Sequence, residues 1–135
     1  MDLTLILLAD YANVAEKGKL NVMGIFNQVF ASAFPTRHPE MYLIAKLTAY
    51  PSEYNTTRKV TIRLVDEDGR DELVNWSQDV HVPQGSGGSK VENNIILKMV
   101  DVEFRRAGAY QFSVLVDNDH KGDLRLDVQE QIPNV

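Results

Sequence analysis

The sequence predicts an all-β protein: a single-domain antiparallel β-sandwich of about eight strands. Three observations predict it. Apolar and polar residues alternate with period two through most of the chain, the pattern of strands with one buried face. The alternating runs are short, and clusters of Gly, Pro, Asp, Asn and Ser separate them at close spacing. The 135 residues amount to one domain's worth of chain, with no linker and no repeat of fixed period to divide it. The domain is therefore expected to span residues 1–135.

Taken in order, residues 3–12 are apolar on both faces, as a strand packed on both sides would be. Residues 20–30 alternate around Gly24, where a bulge is expected. Met41, Leu43, Ala45, Leu47 and Ala49 share one face of a third strand. Val60, Ile62 and Leu64 share a face of the next, with Thr61 and Arg63 opposite. Val74, Trp76, Val80 and Val82 alternate with polar neighbours, which gives Trp76, the single tryptophan, a core-packing role. Residues 91–104 alternate as Ile95, Leu97 and Met99 and then change phase to Val100, Val102 and Phe104. Either a bulge near Val100 or a helical turn accounts for the change. Tyr110, Phe112, Val114 and Val116 form the next buried face, and Leu124, Leu126 and Val128 the last.

One local pattern sharpens the architecture. Leu97-x-Met99-x-x-Val102 followed by Ala107-Gly108-x-Tyr110-x-Phe112-x-Val114 resembles the corner between strands E and F of immunoglobulin-like domains. The resemblance implies that the Tyr110 hydroxyl bonds back to backbone upstream. Phe112 stands where antibody domains carry a cysteine. The sandwich is thus expected to be immunoglobulin-like or C2-like. If strands run up and down, the loops at 13–19, 50–57, 83–90 and 117–123 gather at one end. Those at 34–39, 66–71 and 104–108 gather at the other.

Composition narrows the function. Apolar residues make up 44% and charged residues 24% of the chain, as in ordinary globular proteins. Fourteen Lys and Arg face nineteen Asp and Glu, a formal charge of -5. That charge speaks against nucleic acid and anionic membranes as partners, since both need a basic face. There is no cysteine, hence no disulfide framework and no thiolate chemistry. Asp2 stands where a secretory signal carries a basic residue. The expected location is cytoplasmic.

Chemistry-bearing residues are scattered. Asp66/Asp68 and Asp117/Asp119 are the only pairs that suggest calcium, and they are expected at opposite ends of the sandwich, whereas a hard cation needs several oxygens in one place. Asp and Gly in such turns also serve simply as turn formers. His38, His81 and His120 fall in separate places, so no zinc set is expected. Ser86, in Gly85-Ser86-Gly87, lacks the strand-to-helix context of a nucleophile elbow. Arg105-Arg106 reads as part of an ion-pair cluster with the 66–68 turn. No catalytic residue, metal or cofactor is assigned. The one positive hint is the second face of the third strand, where Tyr42, Ile44 and Tyr50 make an unusually apolar surface. Such a surface marks an interface unless another segment covers it.

Leu8-Ala9-Asp10-Tyr11-Ala12-Asn13-Val14, Gly18-Lys19-Leu20-Asn21-Val22-Met23-Gly24-Ile25-Phe26 and Phe34-Pro35-x-x-His38-Pro39-x-Met41 together resemble a family of uncharacterised bacterial proteins known only as a domain of unknown function. The resemblance continues through Asp66-x-Asp68-Gly69, Val82-Pro83 and Gly108-x-Tyr110-x-Phe112. It implies a small stand-alone bacterial protein and transfers no activity. The expected function is a non-enzymatic module that binds a protein partner. The alternatives are a structural subunit that self-associates into a homo-oligomer, and a calcium-dependent binder or enzyme at one loop end.

Overall fold

A computed structural model describes residues 1–131; the last four residues of the expected domain, 132–135, lie outside the described residues. Nine strands form two packed sheets: β1 (Asp2–Val14), β2 (Leu20–Ile25), β3 (Gln28–Ala31), β4 (Thr36–Ala49), β5 (Thr57–Asp66), β6 (Glu72–His81), β7 (Val91–Phe104), β8 (Gly108–Val116) and β9 (Asp119–Glu130). The first sheet runs β2-β1-β4-β7 and the second β3-β9-β8-β5-β6. Among the described residues helical structure is confined to three single turns at Glu16–Gly18, Pro51–Glu53 and Ser86–Gly88.

The core lies between the sheets and is built by the alternation seen in the sequence. Met41, Leu43, Ala45 and Leu47 of β4 meet Val60, Ile62 and Leu64 of β5 and Phe112 and Val114 of β8, all fully buried. Trp76, half-buried on β6, packs against this core as expected.

Three local expectations are corrected. Residues 20–30 are two strands in different sheets. The chain crosses from β2 to β3 through Phe26 and Asn27, and β3 pairs with β9 in parallel. No hairpin joins these two strands, so nothing imposes the antiparallel sense of the other pairings. Gly24 is not a bulge, because the β1–β2 register is the same on both sides of it. It is a bend at φ +71, where the Asp10 carboxylate occupies the space a Cβ would need. Nor does the change of phase at Val100 come from an inserted residue or a helical turn. The β4–β7 register holds from His38↔Val102 to Met41↔Met99. The two strands roll over together where Asp101, at φ +54, stands in line with Pro39.

The outer face of the first sheet is the unusual feature. A two-layer sandwich leaves such faces to water. Here Ile44 is fully buried and Tyr42 is 8% exposed. They belong to a second apolar cluster, separate from the main core, with Ala9, Ala12, Leu7, Leu20, Val22 and Ile96. The cover is the β1–β2 ribbon. It leaves the sheet beyond Ala9, bends at Asp10 and Gly24, and curls back over β4 and β7. The Asn94 side-chain amide on β7 donates to the Gly18 carbonyl at the ribbon tip, 3.2 Å away. Tyr11 packs edge-on against Tyr42, with ring centroids 5.4 Å apart. The 13–19 turn therefore lies over a sheet face and not at the end of the sandwich where the loop sorting put it.

This geometry sets two stability tests by chemical denaturation. Ile44→Ala is expected to cost about 2–5 kcal/mol, a buried-site value. A loss under about 0.5 kcal/mol, typical of a surface position, would show the face to be open. Gly24→Ala places a side chain in the left-handed region and against Asp10, and is expected to cost about 1–2 kcal/mol or more; an unchanged denaturation midpoint would contradict the bend.

Candidate interaction surface

The expected site residues separate. Tyr42 and Ile44 do lie together, but beneath the ribbon, so of the two readings open for this face, interface or cover by another segment, the structure shows cover. The physical reason is that β4 is apolar on both faces and the chain supplies its own second layer. The Tyr42 hydroxyl donates to Glu40 (3.1 Å), which also pairs with Lys98 (3.0 Å). Burial first, then the Glu40 carboxylate, raises the Tyr42 hydroxyl above its ordinary value. Tyr50 stands apart, beyond the end of β4. Its hydroxyl bonds the Asp2 carboxylate and Lys90 lies over its ring.

The aspartate pairs hold the two ends of the sandwich. Asp117 accepts the Lys59 N–H (2.9 Å) and Arg58 Nη1 (3.1 Å), close to the start of β5. Asp119 pairs with Lys121. At the other end of β5, Asp66 is buried and accepts the N–H groups of Arg70 (2.8 Å) and Asp71 (3.3 Å) and the Arg106 guanidinium (2.7 Å). Arg106 also reaches Asp68 at 3.5 Å. Seven residues of extended strand separate Lys59 from Asp66, so the two pairs are about 23 Å apart. Each is occupied in tying its own turns together. The corner between β7 and β8 forms as the immunoglobulin-like pattern implied: the buried Tyr110 hydroxyl donates to the Arg106 carbonyl at 2.6 Å. One residue, Arg106, thus joins the tyrosine corner to the β5–β6 turn. The histidines stay dispersed. His38 packs on Phe26, His81 ends β6, and His120 bonds Asp123 at 2.6 Å.

A different surface stands out, at the flank where β2 and β3 are the edge strands of their sheets. Among the described residues each is bonded on one side only. No charged residue occurs between Lys19 and Arg37, a run that contains both strands and the crossover between them. Met23 is 66% and Ile25 62% exposed, and Phe30 on β3 is 52% exposed. Tyr11, opposite Met23 on β1, is 45% exposed. Beside Ile25 an apolar cleft of about 300 Å³ opens between the sheets, lined by Leu7, Leu8, Phe26 and Leu124. The opposite flank, β6 and β7, carries Glu72, Asp79, Glu92, Lys98, Asp101 and Glu103. Charged residues keep free strand edges from pairing; only one of this protein's two flanks has them. A count of charges along the sequence would have located the run, but not the fact that both strands are edges on the same side.

The charged end gives a pH test. Burial alone would raise the Asp66 carboxyl. The backbone N–H groups of Asp71 and Arg70 and the Arg106 guanidinium outweigh it and hold the group below its ordinary value. A carboxyl depressed in the folded state stabilises above the unfolded value of about 3.9, and the contribution is lost as pH falls through the folded value. Asp66→Asn is therefore expected to unfold at lower denaturant than the native chain at pH 7, with the gap closing below about pH 4. A gap independent of pH would contradict the charge-based role.

Among the described residues no helix is long and apolar enough to cross a membrane. No curated protein matches the chain. A family model does, over residues 4–129, and by that match the chain belongs to DUF6941, a family of unknown function.

Proposed function

We propose that this protein is a non-enzymatic interaction module that binds protein through the flank formed by the uncharged edge strands β2 and β3 and the exposed side of the β1–β2 ribbon. The observation that carries the reading is the asymmetry of the two flanks. One has acidic and basic residues along its edges; the other has none from Lys19 to Arg37 and exposes Met23, Ile25 and Phe30. The ribbon adds a second argument. Its inner side, with Ala12, Leu20 and Val22, covers the sheet, yet its other side exposes the large apolar side chains of Tyr11, Met23 and Ile25. That side is mixed, since Asn13 and Asn21 are bonded to each other beside them, but among the described residues no element covers Met23 and Ile25. An unpaired strand edge next to an apolar cleft suits recognition of an extended segment, with main-chain bonds supplying affinity and the cleft selecting a side chain.

A photo-crosslinking residue placed at Met23, and separately at Asp79 on β6, tests the reading in the host cell. Adducts are expected from position 23 and not from 79, and Ile25→Asp is expected to abolish them. No adduct at position 23, or equal adducts at both, would overturn it.

A further inference from the structure

We infer that the partner on this flank is a second copy of the same chain, with β2 of one protomer lying antiparallel to β2 of the other about a two-fold axis near Met23. The inference rests on the flank being an interaction surface and adds what occupies it. The two β1–β2 ribbons would then join into one layer of four strands.

Charge selects the occupant. In a two-fold interface every residue near the axis faces its own copy, so any charge there meets the same charge. Like charges directly opposite each other on paired strands are destabilising. This chain carries a formal charge of -5, and two copies approaching at random bring carboxylates together. A two-fold pairing on the β6–β7 flank would bring the acids of one copy, Glu72 and Asp79 on β6 or Glu92 and Glu103 on β7, close to the acids of the other. The β2 edge, Leu20-Asn21-Val22-Met23-Gly24-Ile25, has no charge to oppose itself. The nearest charge is the Asp10 carboxylate on β1, against Gly24; a dedicated acidic partner would be matched by basic residues on β2 or β3, and there are none between Lys19 and Arg37.

Register makes the pairing specific. With Met23 on the axis, Asn21 of one copy faces Ile25 of the other, and Met23 faces Met23. These are the residues of β2 left exposed by the ribbon's own packing. The aromatic ring of Tyr11, opposite Met23 on β1, flanks the contact. The same apposition brings Ile25 of each copy towards the rim of the cleft lined by Leu7, Phe26 and Leu124.

The absence of cysteine from the chain makes the test clean. Opposed residues of an antiparallel pair have Cα atoms about 4.5–5.5 Å apart, within the reach of a disulfide at about 4.4–6.8 Å. Mild oxidation of purified Met23→Cys is expected to give a covalent dimer at micromolar protein, while Ser77→Cys on the β6 edge gives none. Light scattering on the unmodified protein is expected to return twice the chain mass of 15.2 kDa, and Ile25→Asp to return a single chain mass with an unchanged melting temperature. A single chain mass for the unmodified protein at all concentrations, or crosslinking no greater at position 23 than at 77, would overturn self-pairing. If the unmodified protein is monomeric yet position 23 forms adducts with another protein in the host cell, the interaction reading stands and self-pairing falls. If neither occurs, both fall.

Discussion

Strand β4 is apolar on both faces, and the rest of the structure answers to that constraint. One face, from Met41 to Leu47, builds the core against the second sheet. The other, with Tyr42 and Ile44, also has to leave water: burying one such side chain contributes about 1.5–3 kcal/mol. A sandwich of two layers has no third layer to offer. The chain supplies one by extending β1 past the sheet and folding the β1–β2 ribbon back. That is why the ribbon bends at Gly24, why Ala9 and Ala12 are small where strands crowd, and why the tip turn reaches Asn94 on β7.

The same solution creates the flank of uncharged edge strands. Once β2 has been drawn into the ribbon it becomes the last strand of its sheet, and the crossover through Phe26 and Asn27 makes β3 the last strand of the other. Both edges come from one uncharged stretch and end on one side. The opposite flank is edged with acids and lysine, and the two ends of the sandwich are closed by ion pairs centred on Arg58 and Arg106. Stability is thus handled at the ends and in the core. The flank is left with apolar surface that no contact within the described chain uses.

Much of the fold was legible because alternation reports directly which side of a strand is buried. The faces of β4, β5, β8 and β9 follow from Leu43, Ile62, Phe112 and Leu126 in phase. The Tyr110 corner was legible because a local pattern of small and aromatic residues sets a local hydrogen bond. What was not legible depends on segments distant in sequence. Tyr42 and Ile44 were correctly singled out as too apolar for a solvent face, but only the path of the ribbon reveals what covers them. The phase change at Val100 was visible, while its cause, two strands rolling together at Pro39 and Asp101, is a property of the pair. Asp66 and Asp117 looked like cation ligands because turns and metal sites favour the same residues; their partners, Arg106 and Arg58, come from other strands.

The ribbon's cover over the outer face of the first sheet is the feature on which the flank depends. Methyl and aromatic NOEs in dilute solution test this most directly. Contacts from Ala12, Leu20 and Val22 to Ile44 and the Tyr42 ring, with no comparable contacts from Met23 to the same chain's core, are the predicted result. Ile44 and Tyr42 showing contacts only within their own sheet would contradict it, because the ribbon would then stand free and the flank would not exist in the form described.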